Sequence, residues 1–172
     1  MFHLGIVGHR YLSEGKTVEF VSQECRAILM RTLADHNDVV ALSAIAEGAD
    51  TLFAEAALAL DIPLEIVRPF SDYASDFTTA AAKRRYEKLR AFARREAKLD
   101  HEERSGLAYQ AAMKWIVIHS DLLVVAWNGK PPRGYGGTGE AVKQAVDLKR
   151  PWVHLDVNNL SVKFHPGQTG GS

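Results

Sequence analysis

A chain of 172 residues is long enough for one domain that buries roughly two-thirds of its unfolded surface. Its 21 acidic and 21 basic side chains cancel, which argues against nucleic acid or an anionic membrane as partner. The single cysteine, Cys25, excludes an intramolecular disulfide and a cysteine-cluster metal site, and no apolar run approaches the roughly 20 residues of a membrane span.

No basic segment followed by an apolar one opens the chain, so the cytoplasm is the expected compartment. Phe2 to Val7 is a short apolar run stopped by Gly8 and reads as a buried strand. Val18, Val21, Cys25, Ile28, Leu29 and Leu33 recur at helical spacing and predict a helix over Thr17 to Leu33. Val39 to Ile45 is a second strand. Asp50 is placed to cap a helix over Thr51 to Leu60, which is apolar on most sides and so expected against a sheet. Leu64 to Val67 is a third strand, stopped by Pro69.

A long helix is predicted from Thr78 to Leu99. Its basic residues Lys83, Arg84, Lys88, Arg90, Arg94, Arg95 and Lys98 fall within an arc of roughly 160° at helical pitch, a solvated face or a charged rim. Leu107 to His119 is another helix and Asp121 to Trp127 a fourth strand. A glycine-rich turn, Arg133 to Glu140, leads into a short helix, Ala141 to Leu148. Trp152 to Val157 is the fifth strand. From Asn158 the chain turns polar, so the domain is expected to span 1–157, with 158–172 a disordered tail or linker.

Strands alternating with helices predict an α/β, Rossmann-like three-layer sandwich with a mainly parallel sheet of five or more strands. If those five strands lie in the order 3-2-1-4-5, the loops after the first and fourth flank the crevice where ligands bind. Both loops are glycine turns: Gly5-Ile6-Val7-Gly8-His9-Arg10 and Gly136-Gly137-Thr138-Gly139-Glu140. A glycine turn running into a helix start brings backbone close and offers unpaired N–H groups to an anion. Neither turn carries the three-glycine dinucleotide fingerprint or a P-loop lysine.

Around these turns the candidate ligand contacts are His9 and Arg10, Ser43 on the second strand, and Glu47 and Gly48 after it. Arg68 and Phe70 follow the third strand, Trp127 ends the fourth, and Arg133, Gly136, Gly137 and Thr138 form the second turn. An arginine forks onto phosphate, a carboxylate accepts from ribose hydroxyls, and a flat aromatic borders a base. Thr138 is placed either to bond a phosphate oxygen or to cap the helix. If the chain is an enzyme, Glu140 and Glu47 are the candidate catalytic carboxylates. The seven histidines form no metal-ligand spacing, so no metal is expected, and no cofactor is assigned.

Taken together, Gly5 to Arg10, Ala46 to Asp50, Asp121 to Trp127 and Gly136-Gly137-Thr138 resemble the SLOG superfamily, named for the DNA-processing Smf proteins and the Lonely guy enzymes. The resemblance runs from the first strand to the fifth. It implies a Rossmann-like fold binding a nucleotide or nucleotide-derived ligand, in some members as a sensor and in others as an N-glycosidic hydrolase. It leaves self-association open. In the hydrolase branch threonine and glutamate stand three apart in the glycine turn, with an arginine on the preceding helix. Here Thr138 and Glu140 are two apart, and the expected arginine position falls near Ala112. The resemblance therefore favours a binding and signalling module, with nucleotide N-glycosidase activity as the alternative.

Overall fold

The computed structural model describes residues 1–13, 15–132 and 135–167. In chain order they form β1 (Phe2–Gly8), α1 (Lys16–Asp35), β2 (Val39–Ser43), α2 (Ala49–Ala59) and β3 (Leu64–Arg68). A single 3₁₀ turn, Tyr73–Asp76, precedes α3 (Ala80–Phe92), β4 (Arg95–Lys98) and α4 (Gly106–His119). Then come β5 (Leu122–Trp127), α5 (Thr138–Asp147), β6 (Trp152–Asp156) and β7 (Ser161–His165). No helix among the described residues is long and apolar enough to cross a membrane.

The strands make one sheet in the order β4-β3-β2-β1-β5-β6-β7, parallel but for the last pair. The central five strands keep the order expected from the sequence, and one strand is added at each edge. β1 lies between β2 and β5, with Phe2 opposite Val39 and Gly8 opposite Ala126. The winding reverses between β1 and β5, and their C-terminal ends open one crevice.

Side chains alternate across the sheet and fill two cores. Leu4 and Ile6 of β1 join the cluster formed with α1, α2 and α3. Val7 joins the opposite cluster, with Met113 and Ile116 of α4 and Ala141 and Ala145 of α5. Both faces are therefore covered, which is why the central strands read as continuous apolar runs rather than alternating ones.

Three expectations are corrected. The stretch 78–99 is not one helix: α3 ends at Phe92, Ala93 is extended, and Arg94 N–H bonds the Leu64 carbonyl at 2.8 Å. β4 then pairs in parallel with β3, so the open edge of the sheet outweighs helix propensity. The basic arc is broken accordingly, and Arg90 and Arg94 are tied to Glu96 and Glu65. Residues 161–165 are likewise no disordered tail. The Asp156 carboxylate accepts the N–H groups of Asn158 and Asn159, turning the chain so that β7 returns antiparallel to β6. Third, Asp50 does not cap α2. Gly48 holds the cap position, without any side-chain cap, and Asp50 sits inside the first turn.

Candidate functional site

The crevice is built where β1 and β5 end. His9 N–H continues the ladder to the Ala126 carbonyl at 3.1 Å, and Ala49 N–H bonds the His9 carbonyl at 3.2 Å. The first turn is thereby clamped between β5 and the start of α2. Gly8 is required for this: a Cβ there would stand 2.6 Å from Ala49 Cβ and 2.9 Å from Ala126 Cβ. Gly48 abuts the same turn, against the carbonyl oxygens of His9 and Arg10.

The second turn crosses the crevice from the β5 side. Gly136 has φ 75°, a left-handed conformation that glycine adopts without strain, and its N–H donates to Glu140 Oε2 at 2.8 Å. The other Glu140 oxygen accepts the Gln110 amide of α4. Thr138 is the first residue of α5, and no side chain among the described residues caps that helix. Glu140 N–H bonds the Gly137 carbonyl at 3.0 Å, which leaves the N–H groups of Thr138 and Gly139 and the positive end of the dipole at the cavities that Gly137 and Thr138 line.

Two contiguous cavities open on these turns, of about 280 Å³ and about 320 Å³. Gly8, Arg10, Gly136, Gly137 and Thr138 line both. The first cavity is floored by Val7, Met113 and Ile116 and bordered by Tyr73, Tyr109 and Asp50. The second runs along His9, Trp127, Asn128 and Pro131.

Among the described residues, Arg10 is the cation common to both. Its Nη1 lies 3.1 Å from Asp76 Oδ2, and its guanidinium rests 4.6 Å over the Tyr109 ring. The Tyr109 hydroxyl donates to that same Asp76 oxygen at 2.5 Å, and Arg104 donates to the Tyr109 oxygen at 2.9 Å. Phe70 packs edge-on to both Tyr73 and Tyr109. The arginine is thus held on an aromatic platform by a buried carboxylate.

Asp50 is the carboxyl that lines the first cavity. Burial pushes its pKa up to about 7, against the opposing pull of the Ala46 N–H, the Arg10 charge, the Ala44 N–H and the Ser43 hydroxyl. Burial also lowers the pKa of His9, against the opposing pull of the Asn128 side chain. The neutral ring accepts the Asn128 N–H on Nε2 at 3.0 Å, tying the wall of the second cavity to the first turn.

The other sequence candidates take varied places. Ser43 is fully buried beneath the cavity, its Oγ accepting the Ile45 N–H at 2.8 Å. Glu47 lines neither cavity but a small adjoining recess, with Arg10, Tyr11, Tyr73 and Asp76. Arg68 is engaged by Glu96 at 3.0 Å and the Ser71 carbonyl at 2.9 Å. Phe70 is core, 2% exposed. Trp127 borders the second cavity while its Nε1 donates to the Lys130 carbonyl at 2.9 Å. Glu140 braces the glycine turn rather than lining either shared cavity. Arg133 lies outside the described residues.

Sequence reasoning missed Asp76 and Tyr109 as site residues, and read Asp50 mainly as a cap. Asp50 did leave a signal, as a charged residue opening a helix otherwise apolar on most faces. Asp76 and Tyr109 left none, because they meet Arg10 only through the tertiary fold.

No protein-family model and no curated protein matches the chain. Solved structures do match its fold. DNA processing protein A from Helicobacter pylori, described as having a single-stranded DNA binding mode, aligns with TM-score 0.59 at 15% identity, over 89% of this chain and 64% of that one. DNA processing protein A from Streptococcus pneumoniae aligns with TM-score 0.61 at 18% identity, over 89% of this chain and 50% of that one. TM1055, a structural-genomics target, gives TM-score 0.55 at 15% identity, over 88% of this chain and 72% of that one. The chain therefore spans less than two-thirds of either DNA processing protein A chain. These likenesses establish the Rossmann-like fold and are consistent with the SLOG resemblance. They also overturn one expectation: with a DNA-binding protein among its structural neighbours, balanced charge no longer argues against a nucleic-acid partner.

Proposed function

We propose that this chain is a SLOG-type module whose crevice binds a nucleotide or nucleotide-derived ligand through its phosphate. The observation carrying this reading is that the two glycine turns, Arg10 and the uncapped start of α5 line the same space at the switch point of the sheet. Backbone N–H groups, a helix N-terminus and a guanidinium together supply what a phosphate needs and little that a neutral ligand needs. The apolar floor and the tyrosines beside it suit a base or sugar face. A sensor role follows if the ligand orders the second turn or changes self-association.

Incubation with nucleoside monophosphates, cyclic nucleotides, NAD and ADP-ribose, read by mass spectrometry of complex and supernatant, tests the reading. Intact ligand should be retained, and Arg10→Ala should weaken it by tenfold or more, the loss expected of a charge-assisted bond worth about 1.5–3 kcal/mol. Unchanged affinity in Arg10→Ala would remove the phosphate geometry. Free base in the supernatant would favour the N-glycosidase alternative, with Asp50, the carboxyl on the first cavity, as the residue to replace.

A nucleic-acid reading is favoured by one specific finding, the single-stranded DNA binding of the H. pylori neighbour. On this chain the exposed cations Lys83, Arg84 and Lys88 of α3 would supply the backbone contacts. That reading predicts affinity for a single-stranded oligonucleotide that falls steeply with salt.

A further inference from the structure

The crevice has two chambers, and they are not alike. The first is floored by Val7, Met113 and Ile116, with Tyr73, Tyr109 and Asp50 at its border. The second is walled by the Trp127 indole, Asn128, Lys130 and two prolines, Pro131 and Pro132. That second wall is held in shape by three bonds in series. Trp127 Nε1 donates to the Lys130 carbonyl at 2.9 Å, Lys130 N–H to Asn128 Oδ1 at 3.0 Å, and Asn128 N–H to His9 Nε2 at 3.0 Å. The wall is therefore a built surface anchored to the β1 turn, rather than a chance depression.

What joins the chambers is the anion-binding element itself: Gly8, Arg10 and Gly136 to Thr138 line both. A ligand ending at its phosphate would fill one chamber and leave the other open. Size points the same way. At about 280 Å³ the first chamber falls just below the roughly 300–1,000 Å³ range of ligand pockets and at about 320 Å³ the second lies at its lower end, so only the two together fall well inside it.

We propose that the crevice takes a two-ended ligand, two nucleoside groups joined through phosphate, with the phosphate on the shared turns and one nucleoside in each chamber. This rests on the reading of those turns as a phosphate site. One nucleoside lies against the tyrosine-bordered apolar floor. The other lies along Trp127 and the prolines, flat surfaces that accept a ring face without demanding a particular base. Two sources share this chemistry: a small dinucleotide linked by pyrophosphate, and one step of a single strand linked by phosphodiester.

Calorimetry with AMP, diadenosine pyrophosphate, the dinucleoside monophosphate d(ApA) and a twelve-residue oligodeoxyadenylate tests this. Either two-ended probe should bind at least tenfold more tightly than AMP. Trp127→Leu should bring that preference toward unity, and the exposed Lys130→Glu serves the same purpose if the Leu variant does not fold. Preference for diadenosine pyrophosphate identifies a small dinucleotide as the source. Preference for d(ApA), rising further with the oligonucleotide, identifies a strand. AMP binding as tightly as every longer probe overturns the two-chamber proposal and leaves the phosphate site standing. Failure of all four to bind overturns both.

Discussion

Arg10 and Asp76, 66 positions apart in sequence, meet as an ion pair of 3.1 Å in which the carboxylate is only 3% exposed. The pair fixes the cation at the crevice mouth, because Asp76 Oδ2 also accepts the hydroxyl of Tyr109, over whose ring the guanidinium rests. Arg104 closes the group, its Nε 3.2 Å from Asp76 Oδ1.

Asp76→Asn removes the charge but nearly keeps the shape. Arg10 then sits half-buried without its counter-ion, and breaking a buried pair is costlier than never having formed it. With Arg10 one-third exposed, solvent recovers part of that cost, which leaves a loss of about 2 kcal/mol. In a domain of this size that lowers Tm by roughly 4–8 °C. Differential scanning calorimetry on the unliganded protein measures it. An unchanged Tm would show that the platform, not the carboxylate, holds Arg10.

The backbone of the crevice depends on Gly8. In Gly8→Ala the new methyl would stand 2.6 Å from Ala49 Cβ and 2.9 Å from Ala126 Cβ, so α2 and β5 must part. Neither neighbour is a flexible side chain that can swing aside. Overpacking of this kind costs about 1–3 kcal/mol, and the displaced turn takes the anion site with it. Urea denaturation should show a lower midpoint at unchanged slope, and phosphate-ligand affinity should fall in the same variant. Wild-type stability in Gly8→Ala would mean that the turn has slack.

The central sheet was legible because buried parallel strands are written as apolar runs, and Phe2 to Val7 or Leu122 to Trp127 admit little else. The two edges were not. Arg95-Glu96-Ala97-Lys98 is a strand only because β3 offers it an unpaired edge, and the same four residues suit a helix equally well. Ser161 to His165 needs the Asp156 turn and the stacking of His165 on Trp152 at 3.9 Å, neither of which is local pattern. At the site, glycine turns announced themselves by composition, and Arg10 by adjacency. The roles of the acids did not. Glu140, in sequence a catalytic candidate only if the chain is an enzyme, bonds the Gly136 N–H and Gln110 in the fold, while Asp50 reads as a cap and lines the cavity.

Asp50 makes stability depend on pH in a defined direction. Its folded pKa of about 7 lies above the usual value of 3.8, so between those values the folded chain holds a proton that the unfolded chain has released. Its stabilising contribution is complete below about pH 4, declines as pH rises, and is lost once pH passes about 7. A shift of that size corresponds to something on the order of 4 kcal/mol across the window. His9, whose pKa is lowered, acts in the opposite sense as pH falls, so the comparison must be between variants rather than within one. Asp50→Asn keeps the volume and cannot ionise. Urea titrations at pH 5 and pH 8 should therefore show the Asn variant losing less stability than the parent between the two, with its relative gain greatest at pH 8. Parallel profiles for the two proteins would mean that Asp50 stays ionised in the folded chain, stabilised by the Ala46 and Ala44 N–H groups and Arg10 beyond what burial takes away.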